Sequence, residues 1–114
     1  MVHPRLPKDD EGVERNYPNR AICGAGVAFK LAWGVGQVMT GADRVSDEFR
    51  AFLLEATALA ALGTIADVVP LVGENRVIAR LGLASLSKGP HTIGLRALLD
   101  CCGLTGKTID SYHI

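Results

Sequence analysis

The chain has 114 residues, and its twelve Lys and Arg balance twelve Asp and Glu. This length fits one domain that is large enough to bury a core. The absence of net charge excludes the strongly basic character by which many nucleic-acid-binding proteins are identified, although a local basic patch stays compatible with it. Hydrophobic residues make up 48% of the chain and aromatic residues 5%. Alanine and leucine dominate, which favours helices over strands.

The cysteines point to a reducing compartment. Cys23, Cys101 and Cys102 are an odd number and lack the Cys-x-x-Cys spacing of zinc sites. Buried, inert thiols are therefore the favoured interpretation. The first residues form no apolar signal segment, and a cytoplasmic location is predicted.

The first twenty residues and the helix after them differ sharply in composition. Residues 1–19 hold three of the five prolines among charged residues, which predicts an extended, exposed lead-in. A first helix is predicted over residues 23–39, where Lys30 is the only charge. A transmembrane span is the rival interpretation, but a central lysine costs about 2.5–3.5 kcal/mol in a bilayer and glycines dilute the hydrophobicity. A buried helix, which requires cover on every side, is the better interpretation.

Three further helices follow in the sequence. Ser46 and Thr92 precede the second and the fourth, and their hydroxyls can cap the free N–H groups at a helix start. Apolar residues recur at helical spacing within these segments. The expected ranges are 46–63, 74–87 and 92–103, ended by Gly63, Gly89 and Gly103. The chain itself is thus predicted to be predominantly α-helical.

Asp67 is the only charged residue between positions 56 and 73. An ionised carboxylate in apolar surroundings must be paired, hydrogen-bonded or bound to a metal. Thr64 and Asp67 have the spacing of a capping box, so Asp67 could bind N–H groups at a helix start, or pair with Arg76 or Arg80. Its oxygens also suit magnesium or manganese, which assist phosphoryl chemistry. The spacing alone leaves both interpretations open.

Three blocks of sequence carry a resemblance to a known family: residues 23–31 (CGAGVAFKL), 61–76 (ALGTIADVVPLVGENR) and 94–99 (GLRALL). In order and spacing they resemble RecJ-type exonucleases of the DHH phosphoesterase family. The resemblance implies an α/β parent domain, with a parallel sheet and flanking helices, that degrades single-stranded DNA from the 5′ end in recombination and repair. It also implies that Asp67 is a ligand in a binuclear, usually manganese-dependent centre, with magnesium as the other candidate metal.

The chain departs from the family pattern in what it lacks. The family's other ligands come from Asp-x-Asp and Asp-His-His motifs, and neither is present in the sequence. Residues 20–114 are therefore expected to be the C-terminal part of a DHH domain, inactive alone and without the downstream substrate-binding domain. Asn75 and Arg76 are candidates for contacting the DNA backbone or for bracing Asp67, with a salt bridge at a helix start as the alternative. No membrane and no nucleotide cofactor are expected, since the P-loop-like residues 103–108 lack the required upstream glycine.

Two other functions compete with this one. A non-catalytic helical interaction module would dock its apolar faces onto a partner, and it predicts cooperative folding or a defined oligomer. The fragment interpretation predicts aggregation or a molten state instead. A related DHH phosphoesterase acting on short oligonucleotides or cyclic dinucleotides is the other alternative.

Overall fold

A computed structural model describes residues 4–5, 12, 17–89 and 91–114 of the chain. The described part contains helices and no β-strand, which confirms the predicted helical character. Most of the predicted lead-in, residues 1–19, lies outside the described residues, as do Pro90 and His3. The elements are α1 (Gly24–Thr40), α2 (Asp47–Ala66), α3 (Gly73–Lys88), α4 (Ile93–Cys101) and a 3₁₀ turn at Ser111–His113.

The helix starts follow local capping chemistry. The hydroxyl of Ser46 accepts a hydrogen bond from the N–H of Phe49 at 3.2 Å, as predicted for the start of α2. At α1, the Cys23 sulfur accepts from the N–H of Gly26 at 3.4 Å. Thr92 precedes α4 as expected, but its side chain makes no capping hydrogen bond. Most of these boundaries are thus decided by residues close in sequence.

The end of α2 differs from the prediction. The helix continues through Gly63 and ends at Ala66. A Cβ at position 63 would lie 2.5 Å from the Cβ of Ala25 in α1. The glycine therefore allows α1 and α2 to approach closely instead of ending the helix. As a consequence, Thr64 lies inside α2 and the bend begins at Asp67.

Helix α2 is the centre of the bundle, because it packs against both α1 and α3. One cluster of buried residues joins α2 to α3, α4 and the following segment: Ala58, Leu86, Leu95, Leu99 and Ile109. A second cluster lies between α1, α2 and α3 and contains Ile22, Ala60 and Ile78. The small side chains of α2 at these contacts let the neighbouring helices come close.

Helix α4 ends in a Schellman motif. Gly103 has φ +65°, the N–H of Gly103 donates to the Asp100 carbonyl at 3.0 Å, and the N–H of Leu104 donates to the Leu99 carbonyl at 2.9 Å. The predicted glycine end is confirmed. The neighbouring thiols of Cys101 and Cys102 are exposed, so the prediction of buried thiols is wrong for both. An apolar residue at a helix end is not necessarily on its inner face.

The outer face of α1 is apolar and exposed. Leu31 and Val35 are about half exposed, and Val38 and Met39 are 83% and 79% exposed. The prediction of a fully buried helix is wrong for the described residues, since only α2 contacts α1 extensively. The buried residues of α1 are Gly26 and Gly36.

Within the described residues, α2 is the one helix long and apolar enough to cross a membrane, with 33% of that stretch buried. A central helix of a soluble protein has the same length and composition. Since α1 and α3 flank α2, the composition alone gives weak support for a membrane span.

Candidate metal-binding site

Asp67 occupies the C-terminal cap of α2 and is exposed to solvent. Its backbone N–H donates to the Gly63 carbonyl at 3.0 Å, and its carboxylate has no hydrogen bond or ion pair within the described part of the chain. The expectation of apolar surroundings for this carboxylate is therefore wrong. A stretch without other charges can still end at the surface, and here α2 carries Asp67 out of the core.

The structure shows neither of the two structural roles considered for Asp67, which are capping a helix start and pairing with an arginine. The hydroxyl of Thr64 donates to the Ala60 carbonyl at 2.7 Å inside α2, so it does not cap a helix start. Asp67 lies at a helix end, and neither Arg76 nor Arg80 forms an ion pair with it among the described residues. Neither structural role therefore occupies the Asp67 carboxylate among the described residues, and its exposure by itself does not indicate a metal ligand.

Val68, directly after Asp67, has a left-handed backbone. Its φ is +53°, the one positive value of a non-glycine residue in the described ranges. Left-handed geometry costs a β-branched residue about 1–2 kcal/mol. The side chain is 86% exposed, so no burial of its own offsets this strain. The neighbouring contacts must therefore hold the loop between α2 and α3.

Asn75, in the first turn of α3, has a buried side chain that is hydrogen-bonded to the loop between α2 and α3. It is 1% exposed. Its side-chain NH₂ donates to the carbonyls of Pro70, at 3.1 Å, and Ala21, at 3.4 Å, and its carbonyl accepts from the Asn19 side chain at 2.7 Å. The amide thus joins the loop to the segment before α1. Its side chain is inaccessible from outside in this structure.

A charged network continues from this amide. The ammonium of Lys30 donates to Glu74 and to the Tyr17 hydroxyl, and the Glu74 carboxylate accepts from Asn19 at 3.1 Å. Burial opposes the charge on Lys30, yet its hydrogen bonds to Glu74 and Tyr17 raise its pKa. Burial likewise opposes the charge on Glu74, and hydrogen bonds from Lys30 and Asn19 lower its pKa. Both groups are stabilised in their charged forms.

Sequence reasoning missed this network, although one signal was present. Lys30 is the only charged residue in α1, and a lone lysine in an apolar helix needs a partner. The partners themselves, Glu74 and Tyr17, are 44 and 13 residues away in the chain. Their identity therefore depends on the fold.

The other predicted site residues are not brought together into a metal centre. Arg76 is exposed, and its contact with DNA stays a prediction. No group of three or more His, Cys, Asp or Glu side chains that could hold a metal occurs in the described residues. The Nδ1 atom of His113 lies 2.8 Å from an Asp110 carboxylate oxygen, within hydrogen-bond distance, near the C-terminus. A single carboxylate such as that of Asp67 suits a hard divalent cation but would not complete its coordination.

Comparison with known proteins finds relatives that match most of this chain. The chain is 41% identical over 103 residues to the single-stranded-DNA-specific exonuclease RecJ of Bacillus subtilis, a match covering 90% of this chain. The exonuclease of the same name from Thermus thermophilus is 37% identical over 96% of the chain, and that from Escherichia coli 34% identical over 75%. No family model matches the chain, and no solved structure does.

The matches cover 11%, 14% and 15% of the length of these three relatives, so the chain spans a small part of each. The predicted resemblance is confirmed by these matches, which agree on one protein name. Over most of its length, the chain is thus similar to one short segment of single-stranded-DNA-specific exonucleases named RecJ.

Proposed function

We propose that this chain is a segment of the catalytic domain of a metal-dependent single-stranded-DNA exonuclease, in which Asp67 is one ligand of the metal centre. The observation that carries the proposal is the match to single-stranded-DNA-specific exonucleases over most of the chain. The exposed, unpartnered carboxylate of Asp67 at the end of α2 supports it. The parent domain is of the DHH phosphoesterase class, an α/β fold to which these helices contribute one flank.

Asp67 provides an anionic oxygen ligand on a fixed backbone, and manganese or magnesium fits such a ligand. When bound, the metal pair would activate water and stabilise the leaving oxygen of a phosphodiester. The remaining ligands belong to the Asp-x-Asp and Asp-His-His motifs of the family. Because this chain contains neither motif, it is inactive alone.

The substrate is single-stranded DNA, degraded from the 5′ end in recombination and repair, and the location is the cytoplasm. Neither a membrane nor a nucleotide cofactor takes part. Exposed Arg76, nine residues after Asp67, is a candidate contact for the DNA backbone. Short oligonucleotides or cyclic dinucleotides are the alternative substrates.

A chimaera tests the role of Asp67. This chain replaces the matching segment of the Bacillus subtilis exonuclease, and release of labelled nucleotides from 5′-labelled single-stranded DNA is measured with manganese. We expect activity in the chimaera, none in the isolated chain, and a loss of about 100-fold or more on Asp67→Asn. The matched control is Asp43→Asn, since Asp43 is also exposed.

Three results would each contradict a part of this proposal. A folded chimaera without activity would show that the segment is not competent in the exonuclease. Full activity after Asp67→Asn, at unchanged metal requirement, would exclude Asp67 as a ligand. Metal-dependent degradation by the isolated chain would contradict the expectation that it is inactive.

A non-catalytic interaction module is the second candidate, and the exposed apolar face of α1 favours it. An apolar surface of this kind is typical of an interface with another polypeptide. A stable, defined oligomer in sizing chromatography, combined with a cooperative thermal melt, would support this function. Aggregation or a non-cooperative melt would favour the exonuclease segment.

A further inference from the structure

Contacts on both sides of Asp67 anchor the loop that begins there. Both sets of contacts reach the same short segment, residues 21–25 at the start of α1. We infer that Asn75 is a positioning residue for Asp67: together with the pairing of Thr64 and Cys23, its buried amide holds the Asp67 backbone in a fixed place relative to the start of α1. The inference rests on the proposed function, because it concerns how the metal ligand is presented.

The downstream anchor is the Asn75 amide. Both bonds donated by its NH₂ group end on backbone carbonyls, that of Pro70 three residues after Asp67 and that of Ala21 before α1. Its oxygen accepts from Asn19, so three bonds link this side chain to two other segments. A side chain that is 1% exposed cannot exchange these bonds for water. Loss of the amide therefore leaves the two carbonyls without this partner.

The upstream anchor is Thr64, three residues before Asp67. Thr64 is 0% exposed, and its hydroxyl lies 3.4 Å from the sulfur of Cys23. One residue earlier in α2, Gly63 packs so closely on α1 that a Cβ there would meet Ala25. These contacts fix the last turn of α2 on the start of α1. The segment of residues 21–25 thus contacts the loop region on both sides of Asp67.

The anchors at Asn75 and Thr64 matter because no hydrogen bond within the described residues holds the Asp67 side chain. The backbone therefore fixes only the point from which this side chain extends. The backbone there is strained at Val68, and a strained loop relaxes unless its neighbours hold it. Metal ligands must be held to within about 0.5 Å of the productive geometry. Asn75 supplies this constraint from a distance, without touching the metal.

Hydrogen exchange measured by mass spectrometry on the chimaeric exonuclease, in which the rest of the domain is present, tests the positioning directly. The N–H groups of Asp67 and Val68 donate to Gly63 and Ile65, so a peptide covering them reports on the loop. We expect Asn75→Ala to speed exchange of this peptide by about 10-fold or more. Leu95→Ala, in the other core cluster, should leave it unchanged.

Asn19→Ala is the milder second variant if Asn75→Ala does not fold, because it removes only the partner of the Asn75 oxygen and one bond to Glu74. Equal exchange in the unsubstituted chimaera, Asn19→Ala and Asn75→Ala would overturn the inference. So would an unsubstituted chimaera whose Asp67 peptide shows no protection at all.

The chimaeric exonuclease gives the functional readout, the manganese concentration for half-maximal activity. Asn75→Ala should raise it by about 10-fold or more, as changes behind a metal ligand typically do, with a smaller change in KM for DNA. Leu95→Ala should leave it within about twofold. If Asp67→Asn abolishes activity while Asn75→Ala matches Leu95→Ala, the positioning role is refuted and the proposed function stands. If Asp67→Asn has no effect, the proposed function itself fails.

Discussion

Gly82 in α3 is the glycine at which an added methyl group should destabilise the fold most. A Cβ there would lie 2.5 Å from the Thr57 backbone oxygen of α2 and closer still to the Cβ of Ala61. Overpacking of a core costs about 1–3 kcal/mol, and a backbone oxygen cannot rotate away, so the upper value applies. Alanine returns about 1 kcal/mol through its helix propensity. Gly82→Ala should therefore lower the free energy of unfolding by about 2 kcal/mol.

Urea denaturation followed by circular dichroism measures this change. In a thermal melt, the same loss corresponds to roughly 8 °C for a chain of this size. Gly34→Ala in α1 is the matched control, because a Cβ there meets nothing within 4 Å. This control should gain up to about 1 kcal/mol. Equal stabilisation by both substitutions would refute the close approach of α2 and α3.

Three further predictions follow from single contacts. Glu74→Gln should lower the free energy of unfolding by about 1 kcal/mol or less at pH 7, since the ion pair is partly exposed. Because folding lowers the pKa of Glu74, this difference should shrink as the pH falls below the ordinary value of 4.5 and vanish below the lowered pKa. In urea titrations, a difference that stays constant or grows as the pH is lowered below 4.5 would contradict this. Thiol labelling of the folded chain should modify Cys101 and Cys102 quickly and Cys23 only on unfolding; rapid reaction of all three thiols would contradict the burial of Cys23. Val68→Gly should raise the thermal midpoint through a gain of roughly 1 kcal/mol, because glycine adopts positive φ without strain, and a lower midpoint would argue against strain at this position.

The helix starts were predictable because capping acts over three residues. Ser46 caps α2 through the N–H of Phe49, and Gly103 ends α4 because its φ of +65° suits glycine. Gly63 was misjudged for the opposite reason. A glycine reads as a helix end in sequence, yet here it makes room for Ala25 of a different helix.

The candidate site was predictable in part. Asp67 stands out as a lone charge, and the resemblance to RecJ-type exonucleases gives it a chemical role that stays a prediction. Its exposure was not predictable, because a run of apolar neighbours suggests burial, whereas α2 carries it to the surface. Asn75 was a candidate for contacting DNA or for bracing Asp67, and the sequence did not show that its side chain is buried, with three hydrogen-bond partners.

By itself, the sequence determined the helical character of the chain, most of the helix boundaries and the resemblance to RecJ-type exonucleases. These depend on short-range patterns. The patterns are apolar residues at helical spacing, capping side chains, and sequence blocks that resemble those of RecJ-type exonucleases in the same order. Only the tertiary structure decided which glycines serve packing, that α1 keeps an exposed apolar face, and that Lys30 pairs with Glu74. Such contacts join residues tens of positions apart, and their free energy exists only once the helices have packed together.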